Sequence, residues 1–308
     1  MIVFHAINYF SSSLSPLLLY LKFVSGGFIF ITGYIVATFY ATKWATNPFR
    51  TATRLLIRGF KLVALFTVIN LAINALSVRN FNTVQFGLGQ FADRAADIYI
   101  GGSGRYAAFE VLLPIGYLLM LSPMVLWLQR WPALLLGALV LLCSATLFLH
   151  WHLGNFALLL VGGAGMLAGL FLPPDRVASR AHLRASVPML LLVVAAVPWL
   201  RYSLAGYLLY IAVVFKCVAD VSLVLPSHWP ARKLVLFCGE YVLFCYLTHI
   251  LILQAIFRLA WPHPESRYLI VALIAVVTGA VMILGARVVD AARRQFQPVD
   301  QAYRFVFA

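Results

Sequence analysis

The sequence predicts an all-α, polytopic membrane protein with about ten transmembrane helices and no soluble domain, and three observations predict it. The 308 residues are 63% hydrophobic and 10% charged, where a soluble domain is nearer half apolar and about a quarter charged. The mean hydropathy is +0.95. The apolar residues gather in long runs separated by short basic loops, and such runs are helices, because hydrocarbon gives an open sheet edge no hydrogen-bond partner. No internal repeat or long polar stretch interrupts them, so residues 1–308 read as a single domain.

A helix of about 20 apolar residues crosses the hydrocarbon core. The runs fall at 1–18, 23–42, 55–76, 107–128, 132–149, 154–172, 187–202, 204–225, 234–258 and 268–289. The first is short. Met1 to Phe10 is largely apolar, but Ser11, Ser12, Ser13 and Pro16 break the run, so a helix there covers only about half the core. Either residues 14–22 continue a half-span or Met1 is not the natural start, and missing upstream residues are the expectation. Only the turn Arg201-Tyr-Ser203 separates the seventh and eighth runs. The N-terminus has no basic region of the kind that opens a cleaved signal peptide.

A net charge of +14 raises the question of nucleic acid, but the basic residues are spread over short loops, as orientation signals are. With the end of the second run in the cytoplasm, that side carries 15 basic residues against 7 outside, and Lys216 remains within a run. This bias predicts both termini inside and the 77–106 loop outside. Cys143, Cys217, Cys238 and Cys245 all lie in apolar runs without zinc-site spacing, and read as small buried hydrophobes. No metal site is expected.

Several residues in these runs can carry chemistry. His5 is ionisable and sits in an apolar run, which makes it a functional candidate by default. Its imidazole can act as a general base near neutral pH, or can simply hydrogen-bond a neighbouring helix or Asn8 and Tyr9. The segment Phe23 to Tyr34 carries Ser25, Gly26, Gly27, Thr32 and Gly33 among bulky residues. These small residues allow close helix packing or the passage of a ligand chain.

Arg50, Arg54, Arg58 and Lys61 share one helical face. Such a stripe orients the chain and contacts lipid phosphate, or grips a multiply phosphorylated ligand. Lys216 and Asp220 are spaced to pair within one run. Glu240, Tyr246 and His249 lie close together in sequence, with His249 a possible second ligand-contacting histidine. Gly101-Gly-Ser-Gly104 lacks the rest of a phosphate-loop pattern and reads as a turn, and His150 and His152 point to different sides of a helix. Of the outer acids Asp93, Asp97 and Glu110, the first two can hydrogen-bond a sugar.

Met1-Ile-Val-Phe-His5 resembles the end of the first span of the acyltransferase-3 family of integral membrane acyltransferases, and Phe28-Ile-Phe-Ile-Thr-Gly-Tyr34 resembles its second. The basic stripe is similar to the family's arginine motif, and Gly239 to His249 to its late Tyr-x-x-His segment. Two departures stand out. The arginine that pairs with the family's histidine would precede Met1, and Arg54-x-x-x-Arg58 is looser than the usual spacing.

The resemblance implies acyl transfer from cytoplasmic acyl-coenzyme A, a donor substrate rather than a bound cofactor, to a hydroxyl of a glycan or lipid-linked saccharide. It implies His5 as the catalytic base, Arg50, Arg54, Arg58 and Lys61 as the donor site, and Tyr34, Glu240 and His249 as acceptor contacts. It also implies a bacterial inner membrane, membrane lipids as partners and no nucleic acid. The competing reading is a transporter or flippase of a lipid-linked or anionic solute, with Lys216, Asp220 and Glu240 as its buried charges. A structural subunit of an envelope assembly would need neither His5 nor the stripe.

Overall fold

The computed structural model describes residues 1–11, 15–21, 23–75, 88–102, 107–148, 154–179, 182–200, 203–260 and 268–307. His150 and His152, and the second half of the Gly101–Gly104 segment, lie outside the described residues. In chain order the helices are α1 (Ile2–Phe10), α2 (Ser15–Leu21), α3 (Phe23–Ile35), α4 (Ala41–Thr46), α5 (Pro48–Ala75), α6 (Leu88–Asp93), α7 (Leu112–Leu128) and α8 (Pro132–Phe148). They continue as α9 (Gly154–Phe171), α10 (Pro174–Val177), α11 (Leu183–Leu200), α12 (Leu204–Val224), α13 (Pro230–Glu240), α14 (Val242–Ala260), α15 (Tyr268–Gln295) and α16 (Gln297–Phe307). Wider π-turns occupy Val36–Tyr40 and Asp97–Gly101, and no strand occurs among the described residues.

Five helical stretches are long and apolar enough to cross a membrane: Pro16–Thr46, Pro48–Ile73, Gly154–Phe171, Leu204–Val224 and Tyr268–Gln295. A sixth forms if α13 and α14 are one broken span. The protein is therefore an all-α membrane protein, as its composition requires.

The run read as one span over 234–258 is bent by 91° between α13 and α14. Tyr241 sits at the bend, almost fully buried. Its hydroxyl donates to Asp290 (2.7 Å) and accepts from Arg293 Nη1 (2.9 Å), and these side-chain bonds anchor the break to α15. The 77–106 stretch, read as a loop, contains α6 and the second π-turn.

The chain divides into two compact units, Phe23–Val224 and Met1–Lys22 with Leu225–Ala308. In the first, the small residues of Phe23–Tyr34 serve helix packing. A methyl group added at Gly33 would lie 2.1 Å from the Gly162 carbonyl oxygen, and one at Gly165 would lie 2.1 Å from that of Phe30. Backbones that close exclude any larger side chain, which is how small residues let membrane helices meet. Within the same unit α5 packs on α7, with Gly59 against the carbonyl of Gly116. The Gly26 amide donates to the Tyr207 hydroxyl (3.2 Å).

The same unit holds the Lys216–Asp220 pair. Asp220 is completely buried. Its carboxylate accepts from the Ser179 amide (2.8 Å), from Lys216 Nζ (2.5 and 2.6 Å) and from Ser186 Oγ. The pair is structural: it ties the chain after α10 to α11 and α12.

In the second unit α1, α14 and α15 pack together. Tyr241, Cys245, Met282 and Ala286 form one buried cluster, with Ile2 against it. Ala6, Ile7, Phe10, Leu253 and Val271 form another. Cys217, Cys238 and Cys245 are free thiols, and the side chain of Cys143 lies outside the described set.

Candidate functional site

The two clusters in the second unit leave a level between them. On α1, His5 lies between Ile2, which packs on the first cluster, and Ala6, which belongs to the second. On α14, His249 follows Cys245 and precedes Leu253, each four residues away on the same face. On α15, Thr278 lies between Val271 and Met282 on the buried face. Each of three helices thus contributes to both apolar layers and places one polar side chain between them.

The rings of His5 and His249 are in contact, with centroids 5.3 Å apart and planes tilted by 46°. His249 is 2% exposed and Thr278 is fully buried. The Nε2 atoms of both histidines and the Thr278 hydroxyl are buried without a hydrogen-bond partner among the described residues. Buried polar atoms are nearly always paired, so three such atoms at one level require an explanation.

The surrounding shell is ordered. His249 Nδ1 lies 2.9 Å from the carbonyl oxygen of Cys245. A carbonyl only accepts, so Nδ1 carries the hydrogen, and Nε2 of the neutral ring presents a bare lone pair. Tyr9, whose ring lies 5.9 Å from that of His5, hydrogen-bonds the Gln254 side chain and so ties α1 to α14. The Tyr246 ring lies 5.7 Å from that of His249.

The basic stripe lies on α5, in the other unit. Asn47 and Pro48 start that helix: Asn47 Oδ1 accepts from the Arg50 amide (3.0 Å), and proline suits the first helical position. Thr51, Leu55 and Gly59 form the buried ridge, and Arg50, Arg54 and Arg58, one residue back along the helix, are exposed beside it. Lys61 is half-buried.

The first π-turn brings further groups to the stripe. Arg58 Nη1 donates to the Tyr40 hydroxyl, and Lys43 Nζ lies 5.5 Å from the centre of the Tyr40 ring. The first acidic residue in the sequence is Asp93. Lys43, Arg50 and Arg54 make no ion pair among the described residues. The result is a cationic surface suited to phosphate, which guanidinium groups bind through paired N–H donors.

The remaining candidates make none of the contacts described in either arrangement. Tyr34 is buried in its own unit, its hydroxyl donating to the Leu172 carbonyl (3.0 Å) and its ring 4.9 Å from that of Phe215. Glu240 is exposed at the end of α13, before the bend that leads to His249. Asp97 pairs with Arg94 at 3.2 Å. No group of three or more metal-ligating side chains occurs among the described residues.

Sequence reasoning missed Thr278. The available signal was that it is the one polar side chain between Tyr268 and Arg287. Lys43 and Tyr40 were also missed, because the π-turn shifts the helical phase that a regular pattern assumes.

No protein-family model matches the sequence, and neither the curated proteins nor the solved structures contain a significant match.

Proposed function

We propose that this protein is a membrane O-acyltransferase that moves an acyl group from cytoplasmic acyl-coenzyme A to a hydroxyl of a glycan or lipid-linked saccharide, with His5 as general base. One observation carries the reading. His5 Nε2 is buried in an apolar helix, beside a second imidazole, with no hydrogen-bond partner among the described residues.

In the proposed reaction neutral His5 accepts the proton of the acceptor hydroxyl as its oxygen attacks the thioester carbonyl. The tetrahedral intermediate collapses with cleavage of the carbon–sulfur bond. The imidazolium returns its proton to the departing thiolate, leaving an ester, free coenzyme A and neutral His5. Arg50, Arg54, Arg58 and Lys61 hold the donor's phosphates, and Tyr34, Glu240 and His249 are the proposed acceptor contacts.

The topology belongs to the same proposal: ten spans in a bacterial inner membrane, with both termini cytoplasmic. The five long stretches and the bent pair are joined in this reading by α1, α8 and the 17-residue apolar helices Leu112–Leu128 and Arg184–Leu200. Seventeen residues is about the shortest length that spans. Of the charges on which a transport reading would rest, the buried pair is closed within the fold and the third is at the surface. Asp220 is saturated by Ser179, Ser186 and Lys216, and Glu240 is exposed.

The test is transfer of radiolabelled acetyl from acetyl-coenzyme A into envelope saccharide by membranes containing the protein. Transfer by wild type and its loss in His5→Ala is expected. Equal transfer by both would remove His5 from the mechanism, and uptake in liposomes would then be the assay to run.

A further inference from the structure

We infer that His5, His249 and Thr278 form one binding site for O–H groups, with His249 as a fixed acceptor and Thr278 as the positioning hydroxyl. The site stands on its own geometry, and it rests on the acyltransferase reading only for which O–H group enters in turnover.

Thr278 differs from four half-buried threonines in apolar helices. Thr32, Thr38, Thr67 and Thr248 each donate to the carbonyl four residues back in their own helix, at 2.8, 2.9, 2.8 and 2.8 Å. Such back-bonding is the usual way for a threonine to satisfy its hydroxyl in an apolar helix. Thr278 does not make it, although it is fully buried. Its hydroxyl is left to act at the level of the two imidazoles.

The donor set selects the ligand. His249 presents a lone pair at Nε2, because its Nδ1 hydrogen is committed to the Cys245 carbonyl. Thr278 can donate its hydroxyl hydrogen. An apolar group would leave all three atoms unmatched, and an anion would face the lone pair of His249. No group of three or more metal-ligating side chains occurs among the described residues, so a hard cation has no ligand set here.

A water molecule accepts from Thr278 and donates to both imidazoles, the three bonds a buried water typically makes. Adjacent hydroxyls of a saccharide make the same set. The shared chemistry is two O–H donors, on one water or on adjacent hydroxyls, held between two bases and one hydroxyl donor. With adjacent hydroxyls, His249 holds one by accepting its hydrogen while His5 takes the proton of the other.

The test uses the full chain labelled with 15N-histidine in phosphocholine micelles, with n-octyl-β-D-glucoside as the sugar probe. Wild type is expected to show His249 protonated at Nδ1, with its Nε2 signal shifted as a hydrogen-bond acceptor. Thr278→Val should move the Nε2 signals of both His249 and His5, and Thr278→Ser should restore them. Movement of these signals on adding glucoside identifies a sugar hydroxyl as the occupant. No movement on adding glucoside, with the Thr278→Val shift present, assigns the occupant as water; no movement in either experiment overturns the site.

A hydrogen on His249 Nε2 in the wild type overturns the proposal, and that measurement needs no variant to fold. Unchanged histidine signals in Thr278→Val together with a higher Tm also overturn it, since removing an idle buried hydroxyl stabilises a fold. None of these readouts involves acyl transfer. Failure of the enzyme reading and failure of this site are therefore separate results.

Discussion

In the Phe23–Val224 unit, the buried Asp220 carboxylate accepts from an amide, a hydroxyl and an ammonium group. In the other unit the Nε2 atoms of His5 and His249 and the Thr278 hydroxyl are equally buried and have no partner among the described residues. Both are polar groups set into apolar helices, and the cost of burying them is similar in kind. One set is closed by the fold itself and makes stability. The other is left open by the described residues, and the proposed site is the reading in which a bound O–H group completes it. The presence of an ionisable residue in a membrane helix raises the question of function; whether its hydrogen bonds are closed separates a structural residue from a functional one.

The comparison breaks most sharply at His5. As the proposed base it would contribute roughly 10²–10⁴-fold to turnover. His5→Ala is expected to lower acyl transfer by that factor, with a fall in Tm limited to the lost packing of its ring on Tyr9 and His249, because no hydrogen bond of His5 Nε2 supports the fold among the described residues. A large fall in Tm with turnover per folded molecule intact would make His5 a structural residue like Asp220.

Asp220 supplies the opposite pattern. Asp220→Ala leaves the Ser179 amide, Ser186 hydroxyl and Lys216 ammonium without their acceptor. Breaking a buried pair costs about 3–5 kcal/mol, and the lower end is expected because the Lys216 side chain is 26% exposed. Thermal unfolding in detergent reads it. Turnover per folded molecule should stay near wild type, and a selective loss of turnover would move Asp220 into the functional class.

The sequence reveals the two kinds of residue unequally. His5 stood out because it is an ionisable residue in an apolar run, and the Arg50–Arg54–Arg58 stripe because its period matches a helix. The Lys216–Asp220 pairing followed from four-residue spacing, but its two serine-derived donors come from a loop and another helix, which spacing cannot reach. The His5–His249 contact joins residues 244 positions apart and depends on α1 packing against α14. The 91° bend that leads into α14 is fixed by Tyr241, Asp290 and Arg293, an anchor that hydropathy does not register. Thr278 is an ordinary residue in sequence, and its open hydroxyl is visible only against the closed hydroxyls of other threonines.

The cationic surface sharpens the comparison from outside the core. Arg54→Ala or Arg58→Ala should weaken acyl-coenzyme A binding by roughly 1.5–3 kcal/mol each, the worth of a charged hydrogen bond. The affinity should fall with added salt, because exposed cation–phosphate attraction is screened within about 10 Å at 0.1 M. Equilibrium binding of radiolabelled donor at two salt concentrations checks both. Unchanged affinity in both variants would return the stripe to an orientation signal.

Glu110 is an intermediate case and gives the smallest effect. It lies in the turn ahead of α7, outside the long spans, directly after Phe109, a buried aromatic residue held at φ 61°. That backbone is clasped from α5. The Asn70 side-chain amide donates to the Ala108 carbonyl (3.0 Å), and its oxygen accepts from the Ala108 amide (2.8 Å). A left-handed aromatic residue persists only where neighbours fix it in this way. Glu110 itself makes no hydrogen bond or ion pair among the described residues, and burial pushes its carboxyl up to about 7. A raised folded-state pKa means that the native protein keeps a proton the unfolded chain has lost. The contribution to stability is therefore fully present below the ordinary glutamate range and is lost as pH rises through about 7. Wild-type Tm should decline across that window, and Glu110→Gln, which cannot ionise, should flatten the decline and exceed wild type at the alkaline end. Parallel Tm profiles for the two proteins would show that the Glu110 carboxyl is already closed by a partner, as that of Asp220 is.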